Sequence, residues 1–384
     1  MEQTKRIVVI AGEESGDAHA ASFIREISSK YSNLKISGIG GQHMKNAGVE
    51  LISDLAKFGV TGLSEVLKHF GVIRKAFKDI KLHLQQNKPD LLVLVDYPGF
   101  NLRLAKYAKK KLGIKVLYYI SPQIWAWKAG RINTIRETVD RMAVILPFET
   151  KIYEQAGVPV TFVGHPLVEK INIIDSIEIL RSKLGLPQDK TVLALLPGSR
   201  THEIERHMPV LRDTAIKLLQ QGVNAHFVLP VAGTIDPETI KSYFANTTIP
   251  YTLVPGKAIE TMASSNFVIV ASGTASLESA LLEKPMCIIY KGAMLSYIVA
   301  IMVIKVKYLG LCNLLQNKMI APEFLQYDCN STELSRLVYE HLNNSQLTAA
   351  MQKRMKNLKE SLSSHRAECT IGTLIARELN LEMI

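Results

Sequence analysis

Cysteine is scarce in this chain of 384 residues. There are four, at positions 287, 312, 329 and 369, and none forms a C-x-x-C pair. That usage excludes a disulfide framework, offers no zinc-ligand spacing and fits reduced thiols in a cytoplasmic protein. The histidines carry no H-x-H or H-E-x-x-H, and His202 and His207 of HEIERH stand too far apart for one helix face. An Asp-x-Asp pair is absent as well, so neither a metal nor any other cofactor is expected. No apolar run approaches the roughly 20 residues needed to cross a bilayer. The uncharged stretch Gly292–Ile304 ends at Lys305. The N-terminal apolar run Ile7–Ala11 is too short for a signal peptide, and Glu13, Glu14 and Asp17 follow it directly.

Positive charge, by contrast, is in excess. The chain has 46 Lys and Arg against 35 Asp and Glu, a net +11. Such a balance suits an anionic partner: nucleic acid, a phosphorylated small molecule or an anionic membrane. The excess is uneven, because residues 1–168 carry 24 basic against 15 acidic side chains and residues 60–115 carry 12 against 4. In that basic region lies the clearest amphipathic stretch, residues 60–84. Leu63, Val66, Leu67, Phe70, Ile73, Phe77, Ile80 and Leu84 recur at three- and four-residue steps, with Lys68, Arg74, Lys75, Lys78 and Lys81 between them. A helix of that kind can lie in an anionic membrane surface, with Leu63, Val66, Leu67, Phe70, Phe77, Lys68 and Arg74 as contacts. The competing reading is a core-facing helix with a solvated basic face. Residues 294–308 offer a second, more apolar segment for the same task. No nucleic-acid motif accompanies the charge, and exposed aromatics are not interleaved with it, so nucleic acid is not the expected partner.

Short apolar strands alternate with amphipathic helices along the whole chain. Runs such as Leu91–Val95 and Val192–Leu196 are apolar throughout, as in strands buried on both faces of a parallel sheet. The expected class is therefore α/β. Gly164 and Pro166 interrupt the pattern, which places domains near 1–166 and 167–384.

Ligands of open α/β sheets bind at the carboxyl ends of strands, so the loops there are candidate sites. The first, AGEESGD at 11–17, is shaped like a phosphate turn but carries the wrong charge. It better suits sugar hydroxyls or proton abstraction through Glu13, while Asp17 or Ser15 alternatively caps the helix that follows. Asp96 ends a buried strand before Tyr97 and Pro98, where it serves either as a general base or as a turn-former. Ser199 and Arg200 of LLPGSR sit before a helix and suit an anion, the competing reading being a surface arginine paired with Glu203. Ser272, Gly273 and Thr274 of ASGTASLE form a comparable turn, with Glu278 one helical turn on at a reach that suits ribose hydroxyls. Two phosphate-like loops in one domain, neither a Walker A loop, suggest a nucleotide-diphosphate site. The tryptophans of SPQIWAWK, 125 and 127, flank a sugar or pack the core.

Taken in order, AGEESGD (11–17), DYPGFN (96–101), SPQIWAWK (121–128), LPFE (146–149), FVGHPL (162–167), LLPGSR (195–200), ASGTASLE (271–278) and CNLL (312–315) resemble the lipid-A-disaccharide synthase family. The resemblance implies a GT-B glycosyltransferase, with two Rossmann-like domains whose parallel sheets face each other across a cleft. The first would take the acceptor and the membrane, and the second the UDP-sugar, with terminal helices crossing back. The implied reaction joins UDP-2,3-diacylglucosamine to 2,3-diacylglucosamine 1-phosphate by an inverting displacement, giving the β-1,6-linked disaccharide 1-phosphate of lipid A and UDP. On this reading Asp96 is the base, with Glu13 its rival or assistant. Ser199, Arg200 and residues 272–274 hold the diphosphate, Glu278 the ribose, and Asn313 contacts the donor. The setting implied is the cytoplasmic side of the inner membrane of a Gram-negative bacterium, and the assembly a homodimer. The alternatives are another GT-B enzyme, such as a UDP-sugar epimerase or a transferase to an undecaprenyl-linked acceptor, and a non-catalytic UDP-sugar-binding scaffold.

Overall fold

A computed structural model describes residues 4–55, 70–125, 130–171, 175–292, 307–363 and 367–382, apart from the side chains of 169 and 170. The chain divides into two compact units, one of residues 1–166 with 365–384 and one of residues 167–364.

The first unit holds a parallel sheet of β1 (Lys5–Ala11), β2 (Leu34–Gly40), β3 (Glu50–Asp54), β4 (Leu91–Val95), β5 (Val116–Tyr119), β6 (Arg141–Val144) and β7 (Val160–Phe162), in the order β3-β2-β1-β4-β5-β6-β7. Alternate residues of one strand feed opposite faces. Val8, Ile10, Leu92 and Leu94 join one core cluster, while Ile7, Val9, Leu91 and Val93 join the other. Helices cover both faces, which is why the buried runs Ile7–Ala11 and Leu91–Val95 carry no polar residue. The terminal helix Ile371–Leu379 belongs to this unit. Its Ile371, Leu374 and Ile375 enter the second cluster, and Glu378 bridges Lys115 at 2.8 Å and Arg141 at 3.1 Å.

The second unit repeats the plan with β8 (Thr191–Leu196), β9 (Ala225–Val231), β10 (Tyr251–Pro255), β11 (Phe267–Ala271), β12 (Met286–Tyr290) and β13 (Glu323–Leu325), in the order β10-β9-β8-β11-β12-β13. In each sheet the strand order reverses once, between β1 and β4 and between β8 and β11. A reversal leaves a crevice at the carboxyl ends of the two flanking strands, where such folds bind ligands.

The amphipathic stretch divides. Residues 56–69, with Leu63, Val66, Leu67 and Lys68, lie outside the described residues. From Phe70 to Gln86 the chain is helical, and Ala76, Ile80 and Leu84 are buried in the core. Phe77 is a correction to the membrane-contact set: it packs against that core, edge-on to Phe100 with centroids 5.2 Å apart. Phe70 is 57 % exposed, and Arg74, Lys75 and Lys78 are exposed. Residues 294–306 of the second segment also lie outside the described residues, while Tyr308 is buried.

Candidate functional site

Asp96 and Glu13 leave the two strands that flank the reversal in the first sheet. Asp96 follows β4, and Glu13 is the N-cap residue of the helix Glu14–Lys30 after β1. The turn at Asp96 is strained. Asp96 and Tyr97 have φ of +45° and +46°, and Ile120 after β5 has +63°. Non-glycine residues there cost about 1–3 kcal/mol each and persist only when neighbours fix them. Here the neighbours are Asn101 and Tyr118. The buried Asn101 amide donates to Val95 O at 3.1 Å and Asp96 O at 2.7 Å, and the Tyr118 hydroxyl donates to Asp96 O at 2.5 Å. Gly12 completes the fit, since a Cβ there would stand 2.2 Å from the Tyr97 ring.

The surroundings raise the proton affinity of Asp96. Burial first, then the negative charge of Glu13, pushes its carboxyl up to about 7, while the Tyr97 backbone N–H and Arg131 act the other way. Asp96 is thus the partly buried acid, poised near neutral pH, that a general base requires. Arg131, at the start of the helix Arg131–Thr138, belongs to this group but is hard to single out from the sequence, because nothing in AGR marks it apart from a surface arginine. Asp17 is a correction. It does cap a helix, but not the one it lies in. Its buried carboxylate accepts from the amides of Gly41 (2.7 Å), His43 (2.9 Å) and Met44 (3.1 Å), at the start of Gln42–Asn46.

In the second unit, LLPGSR and ASGTASLE leave β8 and β11, which are paired neighbours. Gly273 caps the helix Thr274–Leu281 with no side-chain hydrogen bond, and Gly273 and Thr274 are exposed. Ser272 Oγ donates to Leu309 O at 3.2 Å, and Glu278 lies partly buried on the same helix. This helix start is open to an anion.

The PGSR turn is differently arranged. Glu203, buried in the first turn of the helix Thr201–Gln220, accepts from the amides of Ser199 (2.9 Å) and Arg200 (3.2 Å) through Oε2 and from Arg200 Nη1 (2.8 Å) through Oε1. The Arg200–Glu203 pairing is therefore real, and the turn amides already hold a carboxylate. Gly198, at φ +120°, leaves the room, because a Cβ would stand 2.2 Å from Glu203 Oε2. His207, fully buried, adds a second tie. The Lys291 amide donates to its Nε2 at 2.9 Å, so Nδ1 carries the proton and donates to Pro197 O at 2.6 Å. Burial lowers the proton affinity of this ring, in keeping with a neutral imidazole. Nothing in the sequence marks this tie, where only the spacing of two histidines invites attention.

Asn313, the expected donor contact, is held within its own segment. Its Nδ2 donates to Ala321 O (2.7 Å) and Glu323 Oε1 (2.7 Å), while its Oδ1 accepts from Ile320 N (2.7 Å) and Ala321 N (3.0 Å). Both amide hydrogens and both lone pairs are used, so the side chain shapes its segment. Asn313→Ala is expected to cost about 3 kcal/mol by orphaning those partners. Thermal unfolding of the second unit should fall by roughly 6–12 °C. An unchanged transition would contradict this structural role.

The family model "Lipid-A-disaccharide synthetase" matches residues 7–375. The chain belongs to that family. Its relatives include "Lipid-A-disaccharide synthase 1" of Legionella pneumophila (strain Lens), 57 % identical over 379 residues that cover 99 % of each chain. "Lipid-A-disaccharide synthase" of Trichlorobacter lovleyi is 40 % identical over 372 residues, covering 97 % of each. Among solved structures, a UDP-GlcNAc 2-epimerase from Neisseria meningitidis bound to UDP-GlcNAc superposes with a TM-score of 0.61 at 12 % identity, covering 98 % of this chain and 99 % of that one. The glycotransferase of kitacinnamycin gives 0.63 at 12 %, covering 98 % and 100 %. These likenesses show the shared fold. The family match separates this chain from the epimerases within it.

Proposed function

We propose that the protein is a glycosyltransferase that condenses UDP-2,3-diacylglucosamine with 2,3-diacylglucosamine 1-phosphate into the lipid A disaccharide 1-phosphate. Family membership supports the reaction. The observation that carries the chemistry is Asp96, an acid held near neutral proton affinity at the reversal point of its sheet. Asp96 takes the proton from the acceptor 6-hydroxyl. The oxygen then attacks the anomeric carbon of the α-linked donor, the bond to the β-phosphate oxygen breaks, UDP leaves, and the new linkage is β. Glu13 raises the proton affinity of Asp96 rather than competing for the role. The exposed turn Ser272–Thr274 takes the diphosphate, with Arg200 sharing its charge between Glu203 and the leaving group. Glu278 holds the ribose. The first unit thus serves the acceptor and the second the donor. Purified protein given both sugars should release UDP and disaccharide together. Release of UDP without acceptor, or an epimerised donor, would contradict the reading.

The same reading places the protein at the cytoplasmic face of the inner membrane, as a homodimer. No helix among the described residues is long and apolar enough to cross a membrane. Exposed Phe70 beside Arg74, Lys75 and Lys78 supports surface binding. The protein should co-sediment with vesicles containing anionic lipid and be released by salt, and Phe70→Ser should weaken binding several-fold. Equal binding to neutral vesicles would contradict this.

A further inference from the structure

Glu149 has no part in the chemistry above, yet it is a buried carboxyl whose charge reaches Asp96. It follows β6 in LPFE, in the first turn of the helix Pro147–Gln155, and is 1 % exposed. Its Oε1 accepts from Ser121 Oγ at 2.8 Å and Trp125 Nε1 at 3.1 Å. Tyr153, one turn along, donates its hydroxyl to the same Ser121 Oγ at 3.0 Å. Oε2 is buried and has no hydrogen-bond partner among the described residues.

That arrangement is costly for a purely structural residue. A buried oxygen without a partner loses its hydration and gains nothing in return. The groups acting on Glu149 are neutral donors, namely Ser121, Trp125 and the Leu146 backbone, and burial pushes its carboxyl up to about 7. Glutamine would satisfy the same hydroxyl and indole without an ionisable group. Position supplies the reason for an acid. β4, β5 and β6 are adjacent, and Asp96, Ser121 and Glu149 follow their carboxyl ends in that order. Ser121 comes directly after Ile120, whose φ is +63°, so the Glu149 bond pins a strained segment next to Asp96. The charge of Glu149 also reaches Asp96 and raises its proton affinity.

We propose that Glu149 is a positioning residue for the acceptor-side base. It anchors the segment Ser121–Trp125 beside Asp96 and sets a second carboxyl at the end of a neighbouring strand. The proposal rests on Asp96 being the base. The other groups acting on Asp96 are Glu13 after β1, Tyr97 in its own turn and Arg131, with Tyr118 of β5 coupled to it; Tyr153 on its own helix couples to Glu149.

The test is Glu149→Gln in the full-length protein, which keeps the shape and the acceptor for Ser121 and Trp125. The acid limb of kcat/KM against pH should move down by roughly half a pH unit, as expected when a like charge is withdrawn. The plateau should stay within about tenfold. A second readout does not depend on activity. In a Trp127→Phe background, Trp125 emission should show a transition near pH 7 that Glu149→Gln abolishes. Thermal stability gives the sign independently. The folded value of Glu149 is raised, so ionisation above about 7 opposes folding. Glu149→Gln should therefore raise the melting temperature at pH 8 and lose that gain toward pH 4. If the variant fails to fold, Trp125→Phe removes one donor to the carboxylate and should move the limb in the same direction by less. A pH profile identical to wild type in the folded variant overturns the proposal. Failure of the base assignment itself would show separately, as near-normal turnover in Asp96→Asn.

Discussion

Asp96→Asn is expected to lower kcat by about 10²–10⁴-fold, the range general-base removal commonly gives. The side chain keeps its size, and the turn keeps its ties, because Asn101 and Tyr118 bind the Asp96 backbone carbonyl rather than its carboxyl. What disappears is the proton acceptor. Acceptor and donor KM should therefore change little, which marks an interaction made in the transition state. In the wild type, kcat/KM should rise through pH about 7, where Asp96 ionises. Stability should move the opposite way from activity. The folded proton affinity of Asp96 is raised, so ionising it above about 7 opposes folding, and the amide removes that penalty. A dead variant that melts no lower than wild type at pH 8 separates catalysis from folding.

Arg200→Ala is expected to reduce kcat/KM by about 10²–10³-fold, as loss of one preorganised charge at a developing anion does. UDP affinity should fall with it. The structure supplies the rival account as well. Arg200 pairs with Glu203, and the Ser199 and Arg200 amides bind the same carboxylate. If pairing with Glu203 were the whole role of Arg200, its loss would cost under about 1 kcal/mol of stability, as partly exposed ion pairs do, and leave UDP binding intact. Arg200→Lys should not restore activity, since a point charge cannot reproduce the planar fork. Isothermal titration with UDP decides between the two roles.

The central strands were legible because burial on both faces leaves continuous apolar runs. The edges were not. β3, β10 and β13 carry partly exposed patterns, ELISD, YTLVP and EFL, that resemble loops. All three are outermost in their sheets. The site followed the same logic. Asp96, Glu13 and the two turns of the second unit were visible because each interrupts an apolar run at its carboxyl end. Glu149 and His207 were visible only as letters in a motif, since their significance lies in partners 28 and 84 residues away, Ser121 and Lys291. Asn313 shows a related limit: a motif position says that a residue matters, whereas its hydrogen bonds show what it holds. Phe77 shows the limit of periodicity, which marks the apolar stripe but not what covers it.

The most direct measurement is the linkage formed when purified protein receives both diacyl sugars, read by proton NMR of the product with Asp96→Asn in parallel. The expected product is a β-configured 1,6 disaccharide with one UDP per bond, and none forms from a variant that still binds both substrates. An α linkage, or undiminished product from Asp96→Asn, would contradict it.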